Sequence, residues 1–63
     1  MPEVHVFAAE GRSIEQKRAL AREISEAVAR NFNSPIDAVT VQFIECKLHD
    51  KATGGVLFSD RKG

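Results

Sequence analysis

Two histidines, one cysteine and scattered carboxylates are the side chains of this 63-residue chain best equipped for chemistry. A metal centre would draw on His5, Glu45, His49 and Asp50, but their spacing carries no zinc or iron signature. His5 reads as a packed or interface side chain on a strand, and His49 as a loop residue. Cys46 has no base at local spacing to ionise it, so a small, buried, inert thiol is expected there. As the sole cysteine it closes no internal disulfide. No metal or cofactor is implied. Two cations stand apart from the rest. Lys51 lies in a polar loop, and Arg12 directly precedes a helix-start pattern, where its charge opposes the helix dipole. Pro2 follows Met1, a common way for a chain to begin.

A few short elements position these residues. From Glu3 to Ala9 the sequence EVHVFAA sets Val4, Val6 and Ala8 to one side and His5 and Phe7 to the other, the period of a strand. Gly11 punctuates. Ser13 followed by Gln16 forms a capping box, in which each side chain satisfies an otherwise unpaired N–H of the other residue's backbone, and it predicts a helix from about Ile14. At the helical repeat, Leu20, Ala21, Ile24, Ala27, Val28 and Phe32 share one arc, while Glu15, Arg18, Arg22, Glu26 and Arg30 share the opposite one. Lys17 falls on the apolar arc, where its stem can lie along the core with its ammonium outside.

Asn33, Ser34 and Pro35 end the helix, because proline lacks an N–H and forces the residue before it towards extended geometry. The stretch from Ala38 to Cys46, AVTVQFIEC, reads as a second strand, with Val39, Val41 and Phe43 alternating against Thr40, Gln42 and Ile44. Strand, helix and strand make a single β-α-β unit whose strands run parallel through a right-handed crossover. After a polar loop from Lys47 to Thr53, Gly54-Gly55 marks a tight turn, and Val56, Leu57 and Phe58 complete a short C-terminal hairpin. Asp60, Arg61, Lys62 and Gly63 read as a solvated tail.

Residues 1–63 are expected to form one α/β (α+β) domain, since a chain this short is far below the size at which cores divide. Its own core barely offsets roughly 1.5 kcal/mol per residue of ordering entropy. Disulfides and metals being unavailable, association remains, and the unpartnered apolar run near the C-terminus points to packing on another copy that extends the sheet. Nine basic and nine acidic residues are interspersed, without the basic stripe that nucleic-acid binding requires. No apolar run approaches the ~20 residues that span a bilayer, and no signal peptide is evident, so a cytoplasmic location is the expectation.

Pro2 after Met1, the strand, Glu10-Gly11-Arg12-Ser13, Glu15-Gln16-Lys17, Arg22-Glu23-Ile24-Ser25-Glu26-Ala27, Pro35, the valine-rich strand ending in Glu45, and Gly54-Gly55 are collinear over essentially the whole chain. This set resembles the 4-oxalocrotonate tautomerase family of the tautomerase superfamily. The resemblance implies a tautomerase/MIF-like fold in oligomeric sheets, a hexamer built as a trimer of dimers. It implies an isomerase that moves a proton on a small 2-hydroxydienoate or 2-oxo acid without a cofactor. Met1 would be removed, and the freed nitrogen of Pro2 would act as general base. An α-amino group titrates at about 7.7 to 8.0, and desolvation or nearby cations lower that value. Arg12 matches a carboxylate-binding arginine of the family, a role suited to a permanently charged fork of donors.

Two positions depart from the pattern. Thr40 stands where well-studied members carry an arginine, donated from a neighbouring subunit, that polarises the substrate carbonyl. Lys51 stands where they carry an aromatic residue shaping a dry pocket, and as a cation it offers a substitute for the missing charge. Alternatives for this chain are therefore a superfamily hydratase, dehalogenase or decarboxylase, with the prolyl nitrogen protonated, or a non-catalytic subunit of a hetero-oligomer. Asp50 is the one acid near the loop where dehalogenase-like members place a water-activating carboxylate. Intact-mass spectrometry of the protein made in cells checks the processing step: the expected mass lacks one methionine, and a mass retaining it removes the proposed base.

Overall fold

Strand β1 spans Glu3–Ala9 and alternates as its sequence requires, with Val4, Val6 and Ala8 half-buried and Glu3, His5 and Phe7 exposed. The structure, a computed structural model, describes residues 1–61; the expected tail residues Lys62 and Gly63 lie outside the described residues. Gly11 turns the chain after β1 with φ +126°, a conformation that L side chains rarely adopt. Helix α1, Ile14–Phe32, then begins on the predicted capping box: Gln16 N–H donates to Ser13 Oγ at 3.2 Å, and Ser13 N–H donates to Gln16 Oε1 at 2.8 Å.

The helix ends at Phe32, directly ahead of the Asn33-Ser34-Pro35 run expected to stop it. Asn33 takes the left-handed conformation (φ 54°, ψ 48°), and the N–H groups of Asn33 and Ser34 both donate to Ala29 O. Asparagine tolerates this geometry better than most residues, so it serves as the cap, and Pro35 follows as a spacer. The predicted apolar arc holds for Ala21, Ile24, Ala27 and Val28, which are half-buried, but not for Phe32, which is 70% exposed. Length explains the difference: nineteen helical residues span ~28 Å, whereas a seven-residue strand spans ~23 Å, so the last turn projects past the sheet.

Strand β2 is Thr40–Cys46, two residues shorter than its sequence predicts. Ile36–Ala38 form a 3₁₀ turn after Pro35, with Ala38 N–H bonded to Pro35 O and Val39 N–H to Ile36 O, each at 3.0 Å. Those bonds hold Ala38 and Val39 out of the ladder. The two strands pair in parallel from Glu3↔Thr40 to Ala9↔Cys46. Side chains alternate across a strand, so the pairs Val4↔Val41, Val6↔Phe43 and Ala8↔Glu45 share one face with each other. Helix α1 packs against that face of the pair, as its bond from Lys17 to Glu45 shows. The opposite face carries Glu3, His5, Phe7, Thr40, Gln42, Ile44 and Cys46. Phe7 there is 70% exposed, and Cys46, expected as a buried thiol, is only half-buried and free.

Beyond β2 the chain forms an arm. A 3₁₀ turn at Leu48–Asp50 leads to the hairpin β3 (Ala52–Thr53) and β4 (Val56–Leu57), joined by Gly54 and Gly55 at φ +61° and +80°. Two successive positive φ values are what a primed hairpin turn requires. Phe58, expected to continue the apolar run, opens a further turn, Phe58–Asp60. Arg61 ties the arm to itself, donating to Thr53 O at 2.9 Å and lying 5.5 Å from the Phe58 ring centre. Among the described residues none is fully buried, and the molecule measures 43 × 22 × 14 Å. Such a chain lacks the enclosed core that stabilises a monomer. Ser13→Ala removes the cap without touching any apolar contact, and denaturation at fixed chain concentration is expected to show a loss of about 1 kcal/mol.

Candidate active site

Pro2 stands immediately before β1, where the missing N–H of proline costs no ladder bond. Its carbonyl accepts from the backbone N–H of Thr40 at 3.0 Å, so the first rung beyond the register ties Pro2 to the start of β2. Met1 ahead of it is 98% exposed and packs on nothing, so its removal disturbs no structure. While Met1 is attached the Pro2 nitrogen is an amide and has no basicity. Freed of it, the nitrogen sits at a fixed sheet corner.

Thr40 is exposed, and the register sets it directly across from Glu3 on the face that α1 leaves open. Glu3 Oε2 bonds His5 Nε2, two residues along the same face, so a carboxylate with its partner stands beside the Pro2 corner. The pair does not stand out in the sequence as a site feature, although the two-residue period of β1 contains the signal: residues 3 and 5 share a face.

Arg12 lies at the other end of the sheet. From Glu3 to Ala9 the strand advances ~20 Å, and Arg12 comes after it, between Gly11 and the helix cap. One chain therefore does not bring Pro2 and Arg12 together. Arg12 instead borders a cleft of about 360 Å³ between α1 and the sheet, with a floor of Val6, Ala8, Leu20 and Phe43. Gln16, Lys17 and Glu45 complete its rim. Lys17 Nζ donates to Glu45 Oε1 at 2.5 Å, and the two side chains are only 27% and 29% exposed. This partly dehydrated pair pins the first half of α1 to the end of β2, which fixes the wall on which Arg12 is mounted.

Lys51 is exposed on the arm, which leaves the sheet at the Arg12 end, and its carbonyl accepts from Phe58 N–H at 2.8 Å. The four residues singled out from the sequence thus form two groups, Pro2 with Thr40 at one end and Arg12 with the Lys51 arm leaving from the other. The metal set fares differently again. His5 and Glu45 face opposite sides of the sheet, while His49 and Asp50 belong to the arm. No helix among the described residues is long and apolar enough to cross a membrane.

The comparisons with known proteins agree with one another. The family model described as tautomerase enzyme matches residues 2–61. A 2-hydroxymuconate tautomerase of Pseudomonas putida is 42% identical over 55 residues, covering 87% of this chain and 87% of that protein. A solved 4-oxalocrotonate tautomerase homologue superposes with a TM-score of 0.93 at 40% identity, covering 100% of both chains. A heterohexamer 4-oxalocrotonate tautomerase from Chloroflexus aurantiacus J-10-fl gives a TM-score of 0.89 at 32% identity, covering 98% of this chain and 100% of that one.

Proposed function

The chain belongs to the tautomerase family and is a tautomerase-like isomerase, and we propose that its active site forms between copies, from the Pro2 corner of one and the Arg12 end of another. With Met1 removed, the unprotonated ring nitrogen of Pro2 takes a proton from one position of a small 2-hydroxydienoate or 2-oxo acid. The electron pair left behind spreads into the conjugated enolate. The same nitrogen, now an ammonium, returns the proton to a second position, so no cofactor or co-reactant is consumed. Arg12 of the neighbouring copy binds the substrate carboxylate through its paired donors, and its charge favours the neutral form of the amine. Lys51, carried on the arm, supplies a second positive charge towards the enolate, in place of a cation at Thr40.

The observation that carries this reading is the ~20 Å of strand between Pro2 and Arg12, which a small acid cannot bridge within one chain. The open face bearing Phe7 and the arm bearing Val56 and Leu57 are the surfaces on which copies would meet. A trimer of dimers fits this reading, and the heterohexameric relative supports six chains. That relative also favours a second form of it: Thr40 is neutral, so a different homologous chain contributing the absent arginine would complete the site. Assay of the purified chain on phenylenolpyruvate and 2-hydroxymuconate tests the reading. Pro2→Ala is expected to lower kcat/KM about hundredfold, the scale of general-base catalysis. Arg12→Ala is expected to lower it about 10²- to 10³-fold, the scale for one preorganised charge. Activity that survives Pro2→Ala would remove the prolyl nitrogen from the mechanism.

A further inference from the structure

We infer that Arg61 is a positioning residue: it closes the arm on itself and so presents Lys51 at a fixed place before any neighbour is met. The catalytic half of this inference rests on the role given to Lys51 above, while its structural half stands on this chain alone.

Lys51 needs such a device. Its ammonium rides on a flexible four-carbon stem, and a charge lowers a barrier only to the extent that it is already in place when the enolate forms. The backbone beneath that stem has little of its own to hold it. Strands β3 and β4 have two residues each, and a two-stranded hairpin standing alone is marginal in water. Every residue from Lys51 to Leu57 is exposed. Gly54 and Gly55 at the tip add the freedom of residues without a Cβ.

The contacts that close the arm converge on Arg61. Phe58 N–H donates to Lys51 O at 2.8 Å, which ties the end of the hairpin to its beginning. Between Lys51 and Arg61, Phe58 alone is half-buried, and the turn it opens packs back on the turn Leu48–Asp50 just ahead of Lys51. Arg61 Nη2 donates to Thr53 O at 2.9 Å, and the guanidinium lies 5.5 Å from the centre of the Phe58 ring, within reach of a cation–π attraction. Among the described residues this is the one side-chain hydrogen bond within the arm. It joins Thr53, two places after Lys51, to the residue whose own N–H holds Lys51 from the other side. Losing it frees both. Arg61, expected from the sequence to belong to a solvated tail, is instead the clasp of the segment that carries Lys51.

Amide exchange followed by NMR, together with turnover of phenylenolpyruvate, tests this on the Met1-free protein. Arg61→Met keeps an apolar stem over the ring and removes every donor. In this variant the Phe58 N–H is expected to exchange about three- to tenfold faster, the scale of one hydrogen bond, while the Glu10 N–H, bonded to Cys46 O, stays within about twofold. With sedimentation showing an unchanged assembly, kcat is expected to fall about three- to tenfold and KM to stay within about twofold. On a Lys51→Ala background, Arg61→Met is expected to change kcat less than about twofold, because no charge is left to position. Four results overturn the inference: unchanged Phe58 exchange, a kcat that Lys51→Ala lowers and Arg61→Met does not, a loss from Arg61→Met that persists in full without Lys51, or a variant that no longer assembles. In the last two, Arg61 acts on the substrate or on a neighbour directly. If Lys51→Ala alone leaves kcat unaltered, the charge assigned to Lys51 fails, and the Phe58 exchange by itself decides whether Arg61 closes the arm.

Discussion

Seven consecutive parallel pairs, from Glu3↔Thr40 to Ala9↔Cys46, act as a rigid ruler through the molecule. Parallel strands cannot be joined by a tight turn, so the chain must cross over, and α1 is that crossing. A single crossing helix covers one face only. The other face stays open, and the two ends of the ruler stay apart. Both the incompleteness of the fold and the division of the candidate site descend from this one ladder. The rungs just beyond it, Thr40 N–H to Pro2 O and Glu10 N–H to Cys46 O, fix the corner at each end.

The same geometry links stability to function. Phe7, Val56 and Leu57 expose apolar surface that a lone chain has no means to cover, and no described residue is fully enclosed. Covering that surface with further copies would supply the burial that a small core lacks. It would also carry the arm of one chain onto its neighbour and set a Pro2 corner near a foreign Arg12. In this account assembly and site formation are one event, so dilution that dissociates the oligomer removes activity together with stability. The Lys17–Glu45 pair belongs to the same design, because it holds the Arg12 wall rigid before any neighbour arrives.

Local signals were legible in the sequence because they act over a few residues. Ser13 and Gln16 start the helix where the capping box places it, β1 keeps both of its predicted ends, and Gly54-Gly55 turns the hairpin. The strand at Ala38 was misread because the turn closed by Pro35 and Ile36 competes for the same backbone groups. Phe32 was misplaced because helical periodicity says which arc a residue occupies but not whether the sheet extends beneath it. The candidate site was legible as residues but not as a place. The family resemblance nominated Pro2, Arg12, Thr40 and Lys51, whereas their division between two ends follows from strand length and direction. The Glu3–His5 pair escaped notice because His5 reads from the sequence as a packed or interface side chain, and only the register sets Thr40 beside the two.

Subunit mixing tests the shared site most directly. Chains carrying Pro2→Ala and chains carrying Arg12→Ala, each inactive alone, are refolded separately and together at equal concentration and assayed on the same enol. If every site draws Pro2 from one copy and Arg12 from another, random assembly leaves about a quarter of the sites with both residues intact, and the mixture regains about that fraction of the unmutated activity. A mixture no more active than its parents would mean that a single chain supplies both groups or that neither acts, and the account would fail.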